Sequence, residues 1–313
     1  MSKKSPVLPP AAAAGVILLA LLLAPGARGQ PLESAGCEPM RTLHWTSPAL
    51  TGLDVLELQE RLEELGYGPL AKDGVYGSET VAAVRAFQRD HGLAADGVAG
   101  PLTWQALGAG SAPASAPAAA QPTGELSIVV DIDRLTLTLY ADGEPFKTYP
   151  VAVGRPTQFT QSPVGEWKII QKSRNWGGGF GTRWLGLNVP WGIYGIHGTD
   201  KPWSIGRRAS AGCIRMHNRD VEELYQWVSI GTPVIIRGTV PDVPLNRTLA
   251  AGHSGRDVVF LQFRLADLGF DPQGADGRFG PNTERAVEEL QRLYGLPVDG
   301  RAYEDVYYVL GLK

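Results

Sequence analysis

Apolar residues recur at helical spacing in two separate stretches of the chain, and between these stretches they alternate with polar residues as in β-strands. The first helical face carries Val55, Leu58, Leu62 and Leu65. Gly66 follows this face and supplies a left-handed stop. A second helix is predicted over about 78–90, and a turn at Asp96 and Gly97 leads into a third, shorter helix.

Two acidic residues open the first helix with the spacing of a capping box. Asp54 and Glu57 lie three positions apart at the start of the apolar pattern. Side chains at this spacing satisfy backbone N–H groups that have no partner within the first turn of a helix. We therefore expect these two residues to define the helix start.

The helical stretch occurs twice. Shifting the sequence by 203 positions aligns the first copy with a second copy near the end of the chain, without a gap. Positions that are identical in both copies include Gln59, Gly74, Gln88 and Gly97. His91 is opposite Tyr294, so this position is interpreted as ring packing at a helix end. Each copy is predicted to be a three-helix module of about sixty residues.

The middle of the chain has the alternation expected of β-strands. Apolar residues alternate with polar ones at Leu135, Leu137 and Leu139. Asp142 and Gly143 then form the central pair of a hairpin turn. Further strands are predicted at EWKIIQK, IYGIH and GTPVIIRG.

One amphipathic helix is predicted within this middle region. Asp220 and Glu223 are expected to cap it. Its apolar positions are Val221, Leu224, Tyr225 and Val228. The predicted fold is therefore a multidomain chain, in which a mainly-β sandwich or barrel with one main helix is flanked by two small three-helix all-α modules.

Length and composition divide the chain further. At 313 residues the chain is too long for one ordinary core. Residues 1–29 combine two lysines with an apolar run and a small-residue end, which is the pattern of an export signal. The Ala, Pro and Ser stretch 109–124 is predicted to be a linker. The remaining predicted domains are the modules at 47–108 and 249–313 and the central domain at 125–238.

Charge and hydropathy argue against two classes of partner. The net charge of −3 and the isoelectric point near 6.0 give no field that would attract nucleic acid or an anionic membrane. The apolar run near the N-terminus, about fourteen residues long, is shorter than the roughly twenty that span a bilayer. We therefore expect no nucleic-acid partner and no stable membrane anchor after cleavage of the signal.

Candidate chemistry in the central domain centres on one cysteine and two histidines. An imidazole can take the proton of a thiol and leave a reactive thiolate, so Cys213 with His197 is a candidate nucleophile–base pair. The backbone amides near Gly212 and Cys213 are candidate donors to a developing oxyanion. Arg215 is a candidate for binding a substrate carboxylate.

Two other interpretations stay open on the residues alone. In one, His197, Cys213 and His217 bind a zinc ion. In the other, Cys213 is a buried apolar side chain in a protein that binds without catalysis. The segment WGGGFG lacks the lysine of a phosphate loop and is interpreted as a surface loop.

Both helical modules resemble the peptidoglycan-binding domain of cell-wall enzymes. The first copy carries this resemblance in LQERLEELGY, DGVYGSETVAAVRAFQ and GLAADGVAGPLTW. The second copy departs from the pattern, because it reads AYEDVY up to Tyr307 where the first reads GPLTW up to Trp104. The resemblance implies that peptidoglycan is the partner of the chain.

The central domain resembles the L,D-transpeptidase, or YkuD-like, catalytic domain. The resemblance is carried by YGIHGTDKPWSIGRRASAGCIRMHNRDVEELYQWVSIGTPVII together with the upstream segments SPVGEWKI and FGTRWLGLNVP. It implies that Cys213 is the nucleophile, that His197 is the general base, and that the backbone carbonyl of Gly198 orients the imidazole. The residues that it assigns to the substrate site are Arg215, Ser210 and Gly212.

One departure from this family pattern lies beside the nucleophile. Many members have a histidine where this chain has Ala211. His197 fills the role of the base, so the alanine does not remove an essential group. His217 is not a catalytic residue of the motif and is expected at the surface.

The resemblance implies an exported peptidoglycan L,D-transpeptidase that acts in the cell wall or periplasm. Cys213 would attack a tetrapeptide stem, release D-alanine and form a thioester that an amine resolves into a 3-to-3 crosslink, without metal or other cofactor. The alternatives are an L,D-carboxypeptidase with the same site and a non-catalytic cell-wall-binding protein. Because a disulfide would mask the nucleophile, we expect Cys37 not to pair stably with Cys213.

Overall fold

The computed structural model describes residues 41–110, 121–174, 176, 179–241 and 243–313. The predicted export signal, Cys37 and most of the predicted linker lie outside the described residues. Within the described part of the chain, no helix is long and apolar enough to cross a membrane.

The elements follow one another in three groups. The first helical module contains α1 (Leu53–Glu64), α2 (Ser78–Asp90) and α3 (Pro101–Leu107). The central domain contains β1 (Leu126–Asp131), β2 (Thr136–Ala141), β3 (Glu144–Pro150), β4 (Val153–Gly154), β5 (Gly165–Arg174), β6 (Arg183–Leu187), β7 (Tyr194–His197), a 3₁₀ turn (Pro202–Ser204), β8 (Arg208–Ser210), β9 (Ile214–Arg215), α4 (Asn218–Trp227) and β10 (Pro233–Arg237). The second module contains α5 (Arg256–Asp267), α6 (Pro281–Leu293) and α7 (Glu304–Val309).

A buried glutamine fixes the loop between the first two helices of each module. Gln59 Nε2 donates to the Asp73 carboxylate (2.9 Å), and the Gly74 N–H donates to Gln59 Oε1 (2.9 Å). Gln262 makes the same pair of bonds in the second module (3.1 and 2.9 Å). Because a buried amide leaves few of its hydrogen-bonding groups unpaired, the repeated glutamine has a structural cause.

Two other repeat positions are also explained by packing. The His91 ring stacks on Phe87 with the ring centroids 4.0 Å apart, as predicted for a ring at a helix end. Trp104 and Tyr307, where the two copies differ, are both buried in the cores of their modules. The Tyr307 hydroxyl donates to the Arg247 carbonyl (2.7 Å). The difference between the copies at this position is therefore a difference of core packing.

The central domain is a curled, mixed β half-barrel. Eight strands are hydrogen-bonded in the order β3-β2-β1-β10-β5-β6-β7-β9, and β4 pairs with β8 separately. The β1–β10 and β7–β9 pairs of the large sheet are parallel, and its other pairs are antiparallel. The predicted fold class is confirmed: two helical modules flank a mainly-β domain that carries one main helix, α4, among the described residues.

Alternating burial explains why these segments are strands. Leu137 and Leu139 of β2 are fully buried, whereas Thr138 between them is only partly buried. Leu135 precedes the strand and has a positive φ of 57°. The Asp142–Gly143 turn also has positive φ at both residues, 51° and 81°, as the predicted hairpin requires.

The predicted capping box of α1 is wrong. The cap position is Gly52, without a side-chain cap, and Asp54 pairs with Arg41 (2.9 Å). Glu57 turns away from its own helix terminus and is buried against two cations of the central domain, Lys201 and Arg215. A carboxylate with two cationic partners gains more from them than from one backbone N–H.

The predicted cap of α4 is also wrong. The helix begins at Asn218, with His217 at the cap position, so Asp220 is already its third residue. Glu223 instead accepts hydrogen bonds from Lys147 Nζ (2.6 Å) and the Tyr149 hydroxyl (3.0 Å). Both partners come from β3, which sequence spacing around the helix does not reveal.

Both modules contact the central domain through their first helix, but with different chemistry. In the second module, Val259 of α5 and Ala275 are buried in the core of the central domain. In the first module the corresponding face of α1 is acidic, and Glu60 accepts two hydrogen bonds from Arg155 (2.7 and 3.2 Å). Phe263 stands at the repeat position of Glu60.

Candidate active site

Two parallel strands position the candidate nucleophile and base. In the β7–β9 pair, Ile196 lies opposite Ile214 and His197 lies opposite Arg215. Cys213 directly precedes β9. Residues directly opposite each other on paired strands share a face, so His197 and Arg215 project to the same side of the sheet. Cys213 and His197 are only 1% and 2% exposed.

Aromatic rings cover this pair. Phe180 contacts the His197 ring edge-on (centroids 5.0 Å apart, 84°), and Trp184 stacks on it (5.8 Å, 29°). Phe180, Trp184 and Cys213 form one buried cluster. The interpretation of WGGGFG as a surface loop is therefore wrong at Phe180, which is buried at the site. Gly177 and Gly178 of that segment lie outside the described residues.

A backbone carbonyl orients the His197 ring. Nδ1 and the Gly198 carbonyl oxygen form a short hydrogen bond, in which the ring nitrogen is the donor when it carries the proton. This tautomer places the lone pair on Nε2, the nitrogen that would accept a proton from a thiol. The geometry agrees with the role that the family resemblance gives to Gly198.

Burial keeps the imidazole neutral. Desolvation, and after it the charge of Arg215, lowers the pKa of His197 to about 3. Hydrogen bonds to the carbonyls of Gly198 and Phe180 oppose this shift but do not outweigh it. At neutral pH the ring is therefore uncharged in this disulfide-bonded state.

The turn before the cysteine is held by Ser210. Its hydroxyl donates to the Cys213 carbonyl (2.6 Å) and accepts from the Gly212 N–H (3.1 Å). The Gly212 amide therefore already has an acceptor in this conformation. Gly212 has φ +128°, which favours glycine. The structure thus places Ser210 and Gly212 in the turn, and their predicted contact with substrate stays a prediction.

Cys213 is disulfide-bonded, so the expectation of a free thiol is not met in this structure. The sequence contains one other cysteine, Cys37, which lies outside the described residues. An oxidising compartment, such as those outside the cytoplasm, favours disulfides. The sulfur must be reduced before it can act as a nucleophile.

Arg215 already has a carboxylate partner within the protein. Its Nη2 donates to Glu57 Oε1 of α1 (2.8 Å), and its side chain is 13% exposed. Nη1 is buried and has no hydrogen-bond partner among the described residues. The predicted role in carboxylate binding is therefore compatible with the side chain's chemistry, but a carboxylate of the protein already occupies one arm of the guanidinium.

The zinc interpretation has no ligand cluster to support it. Within the described ranges, no group of three or more His, Cys, Asp or Glu side chains is arranged to hold a metal ion. His217 is at the cap position of α4 and only 9% exposed, so its expected surface position is wrong. Burial lowers the pKa of His217.

Sequence reasoning missed Asn218. Its Oδ1 accepts hydrogen bonds from the Thr182 N–H (3.2 Å) and the Thr199 N–H (3.0 Å). It thereby joins the segment that carries Phe180 to the segment that follows His197. The only signal in the sequence is an asparagine five positions after the cysteine, which is as typical of a helix start as of a site.

A β-rich domain that contains a cysteine and an oriented histidine lies between two helical modules. The L,D-transpeptidase catalytic domain model matches residues 125–236. The putative peptidoglycan binding domain model matches twice, at 51–107 and 254–310.

Named relatives agree with these matches. The putative L,D-transpeptidase YkuD of Bacillus subtilis is 52% identical over 109 residues, which are 35% of this chain and 64% of the relative. The putative L,D-transpeptidase YqjB of the same organism is 34% identical over 128 residues, 36% of this chain and 72% of the relative. A solved L,D-transpeptidase from Xylanimonas cellulosilytica is 28% identical, with 64% of this chain and 99% of that chain covered and a TM-score of 0.32.

The chain therefore belongs to the L,D-transpeptidase family and carries two peptidoglycan-binding domains. It spans 64% of the length of the first Bacillus relative. Its membership of a cell-wall enzyme family implies a place outside the cytoplasm.

Proposed function

We propose that the chain is an exported peptidoglycan L,D-transpeptidase that forms 3-to-3 crosslinks through a thioester on Cys213. The observation that supports the proposal is that Cys213 lies in one buried cluster with Phe180 and Trp184, the two rings that contact His197, while the Gly198 carbonyl bonds Nδ1 of that imidazole. A neutral histidine beside a cysteine is the pair that acyl transfer to sulfur needs.

The first half-reaction consumes the tetrapeptide stem. His197 Nε2 takes the Cys213 thiol proton, and Sγ attacks the carbonyl carbon of the third residue. The C–N bond to the terminal D-alanine breaks, and the imidazolium gives its proton to the departing amine. The products are a thioester on Cys213 and free D-alanine.

The second half-reaction consumes the thioester. An amine of a neighbouring stem attacks the thioester carbonyl while His197 takes the amine proton, and the C–S bond breaks. The thiolate recovers the proton from His197, so the enzyme is regenerated and one amide bond has replaced another. The energy of the new bond comes from the bond that was broken, which suits a compartment outside the cytoplasm.

Activity requires reduction first. The disulfide at Cys213 must accept two electrons from an external dithiol by thiol–disulfide exchange before Sγ can attack a carbonyl. Assays of the protein therefore include a dithiol reductant.

The flanking domains support the choice of substrate. Two domains that match a peptidoglycan-binding model would hold the catalytic domain on the polymer and raise the local concentration of stems. We propose peptidoglycan as the partner on this ground, and export of the chain by residues 1–29 on the ground of the N-terminal pattern.

The direct test is turnover of a purified disaccharide tetrapeptide by the reduced protein, followed by mass spectrometry. We expect D-alanine and a crosslinked dimer from the unaltered chain and neither from Cys213→Ala. Cys37→Ser is the matched control, because it changes the other cysteine and leaves the proposed nucleophile. D-alanine release that survives Cys213→Ala would overturn the mechanism.

Other outcomes separate the alternatives. Release of D-alanine without a dimer would identify an L,D-carboxypeptidase. Binding to isolated cell walls without any turnover would identify a non-catalytic wall-binding protein. Both results would contradict the proposed crosslinking.

A further inference from the structure

One face of α1 in the first module is acidic and lies on the central domain. Glu57, Glu60 and Glu64 recur at three- and four-residue spacing, which places them on one side of the helix. Their partners are Lys201 and Arg215 for Glu57, Arg155 for Glu60, and both Arg207 and Arg61 for Glu64. Arg61 lies on α1 itself, and the other four cations belong to the central domain, so the face is complementary to that domain in charge.

Glu57 differs from the other two acids because it is buried. Its side chain is 6% exposed, against 37% for Glu60 and 35% for Glu64. Its Oε1 accepts from Arg215 Nη2 (2.8 Å), and its Oε2 makes a short contact with Lys201 Nζ. Exposed pairs such as the other two contribute little, so the buried carboxylate is the specific contact of this face.

The environment of Glu57 favours its charged form. Burial alone would raise the pKa of the carboxyl, but the charges of Arg215 and Lys201 outweigh burial and lower the pKa to about 2. Lys201 Nζ also lies 4.6 Å from the centre of the Trp104 ring, and Trp104 stacks on Trp203 (6.3 Å). Lys201 and Arg215 are therefore two largely buried cations that form a pocket for one carboxylate.

The module itself does not need this carboxylate. The second copy has Phe260 at the position of Glu57 and keeps the same three-helix fold. The position is therefore free to vary within the module. Glu57 instead contacts the central domain, through Lys201 and through Arg215, which lies two residues after Cys213.

The pocket is not saturated by Glu57. Arg215 donates to it through one nitrogen only, and Nη1 is buried without a hydrogen-bond partner in the part of the chain that the structure describes. A guanidinium binds a free carboxylate best with two parallel bonds. A ligand carboxylate could thus use both arms of Arg215, which Glu57 does not.

We propose that Lys201 and Arg215 form a carboxylate-binding subsite beside the nucleophile, and that Glu57 of the first peptidoglycan-binding module occupies it as an internal competitor of the stem peptide. This inference rests on the proposed function for the identity of the ligand, which is a peptide carboxylate. The docked module is then the resting state, and a stem that brings its own carboxylate displaces Glu57.

The first test uses Glu57→Gln in the reduced enzyme, because glutamine keeps the volume and removes the charge. We expect the apparent KM for the disaccharide tetrapeptide to fall about tenfold or more. In the unaltered chain Glu57 occupies the subsite in part of the molecules and lowers the fraction that can bind substrate, and the variant removes this competition. Glu63→Gln is the matched control: it lies on the same helix and pairs with Lys72 inside the module. We expect the control to leave KM unchanged.

The second test does not depend on turnover. N-acetyl-D-alanine, which carries a carboxylate, and the neutral N-acetyl-D-alaninamide are titrated calorimetrically into each variant. We expect Glu57→Gln to bind N-acetyl-D-alanine at least about tenfold more tightly than the unaltered chain does. Neither protein should bind N-acetyl-D-alaninamide. Adding Arg215→Gln to Glu57→Gln should abolish binding of the acid.

A third measurement covers the case in which Glu57→Gln does not fold. Hydrogen exchange of the unaltered chain is followed over α1 with each probe. The acid should lower the protection of α1, because it releases Glu57, and the amide should not.

The outcomes are distinct. A raised KM in Glu57→Gln with no binding of N-acetyl-D-alanine would overturn the proposal, because Glu57 would then support Arg215 rather than compete for it. Unchanged protection of α1 at saturating acid would also overturn it. Absence of turnover in every variant, together with the expected probe binding, would refute the proposed function and leave the subsite standing.

Discussion

Gly212 is the residue whose replacement tests the site geometry most sharply. Its φ of +128° lies where residues with a Cβ rarely go, and a Cβ there would be 2.8 Å from Tyr194 Cε1 and 3.2 Å from the Gln161 carbonyl oxygen. Gly212→Ala therefore adds both backbone strain and a steric clash directly before Cys213.

The two effects have separable sizes. Strained backbone of this kind costs on the order of 1–3 kcal/mol. An overpacked methyl group costs about 1–3 kcal/mol more, because the Tyr194 ring and the carbonyl of Gln161 must move. We expect Gly212→Ala to lower the free energy of unfolding by roughly 2–6 kcal/mol.

Gly143→Ala provides the control for strain alone. Gly143 has φ +81°, and nothing lies within 4 Å of a Cβ built on it. A left-handed conformation without a clash costs about 1–2 kcal/mol for alanine. Urea unfolding of both variants, followed by the fluorescence of the central-domain tryptophans, measures the difference.

Activity adds a second criterion. Gly212→Ala displaces the turn that Ser210 holds, so we expect D-alanine release to fall at least about tenfold, the effect of roughly 1.4 kcal/mol on the barrier. Gly143→Ala should retain the rate of D-alanine release of the unaltered chain. Equal destabilisation by the two substitutions, with turnover kept in both, would refute this account of the turn.

Three further predictions follow from the same contacts. The stability of the protein should fall as pH falls from about 6.5 to about 3, because the pKa of His197 is lowered to about 3 and, in this window, the unfolded chain binds a proton that the native chain does not. Urea unfolding at a series of pH values measures this loss, and His197→Gln should reduce its slope. An unchanged slope in the variant would contradict the prediction. Without reductant, thiol counting in denaturant should find no free thiol, and after dithiothreitol two per chain, one for each cysteine; a thiol detected before reduction would be the contrary result. Asn218→Ala should lower the free energy of unfolding by about 1–3 kcal/mol for each backbone N–H left without its acceptor. Asn218→Asp keeps an acceptor oxygen, so its free energy of unfolding should fall by less. Equal losses of stability in thermal unfolding of the two variants would contradict the assigned hydrogen bonds.

Local pattern determined the elements of this fold well. The three helices of each module and the hairpin at Asp142 and Gly143 follow from spacing and turn chemistry, because the residues that form them are close in sequence. The repeat also identified His91 as a packing position. The family resemblance led to Cys213, His197 and Gly198. The Gly198 carbonyl bonds His197 Nδ1, and Cys213 shares a buried cluster with Phe180 and Trp184, which contact the His197 ring.

Residues whose partners come from distant segments were misinterpreted. Glu57 and Glu223 were expected to cap helices, but their partners lie far away along the chain: Lys201 and Arg215 for Glu57, and Lys147 and Tyr149 for Glu223. Phe180 lies in a glycine-rich segment that indicates a loop, and its burial depends on Trp184 and His197. For Glu57 the repeat held the missing signal, because a cap required by the module would be expected in both copies, and the second has Phe260.

The central claim is that Cys213 is the residue that carries the acyl group. Intact-protein mass spectrometry of the reduced chain, mixed with disaccharide tetrapeptide and quenched in acid, tests it most directly. The account predicts an added mass equal to the substrate minus D-alanine, located on the peptide that contains Cys213 and absent from His197→Gln within the same time. An adduct on any other residue would contradict the claim. So would D-alanine release that proceeds with Cys213 unmodified and at an unchanged rate when Cys213 is replaced.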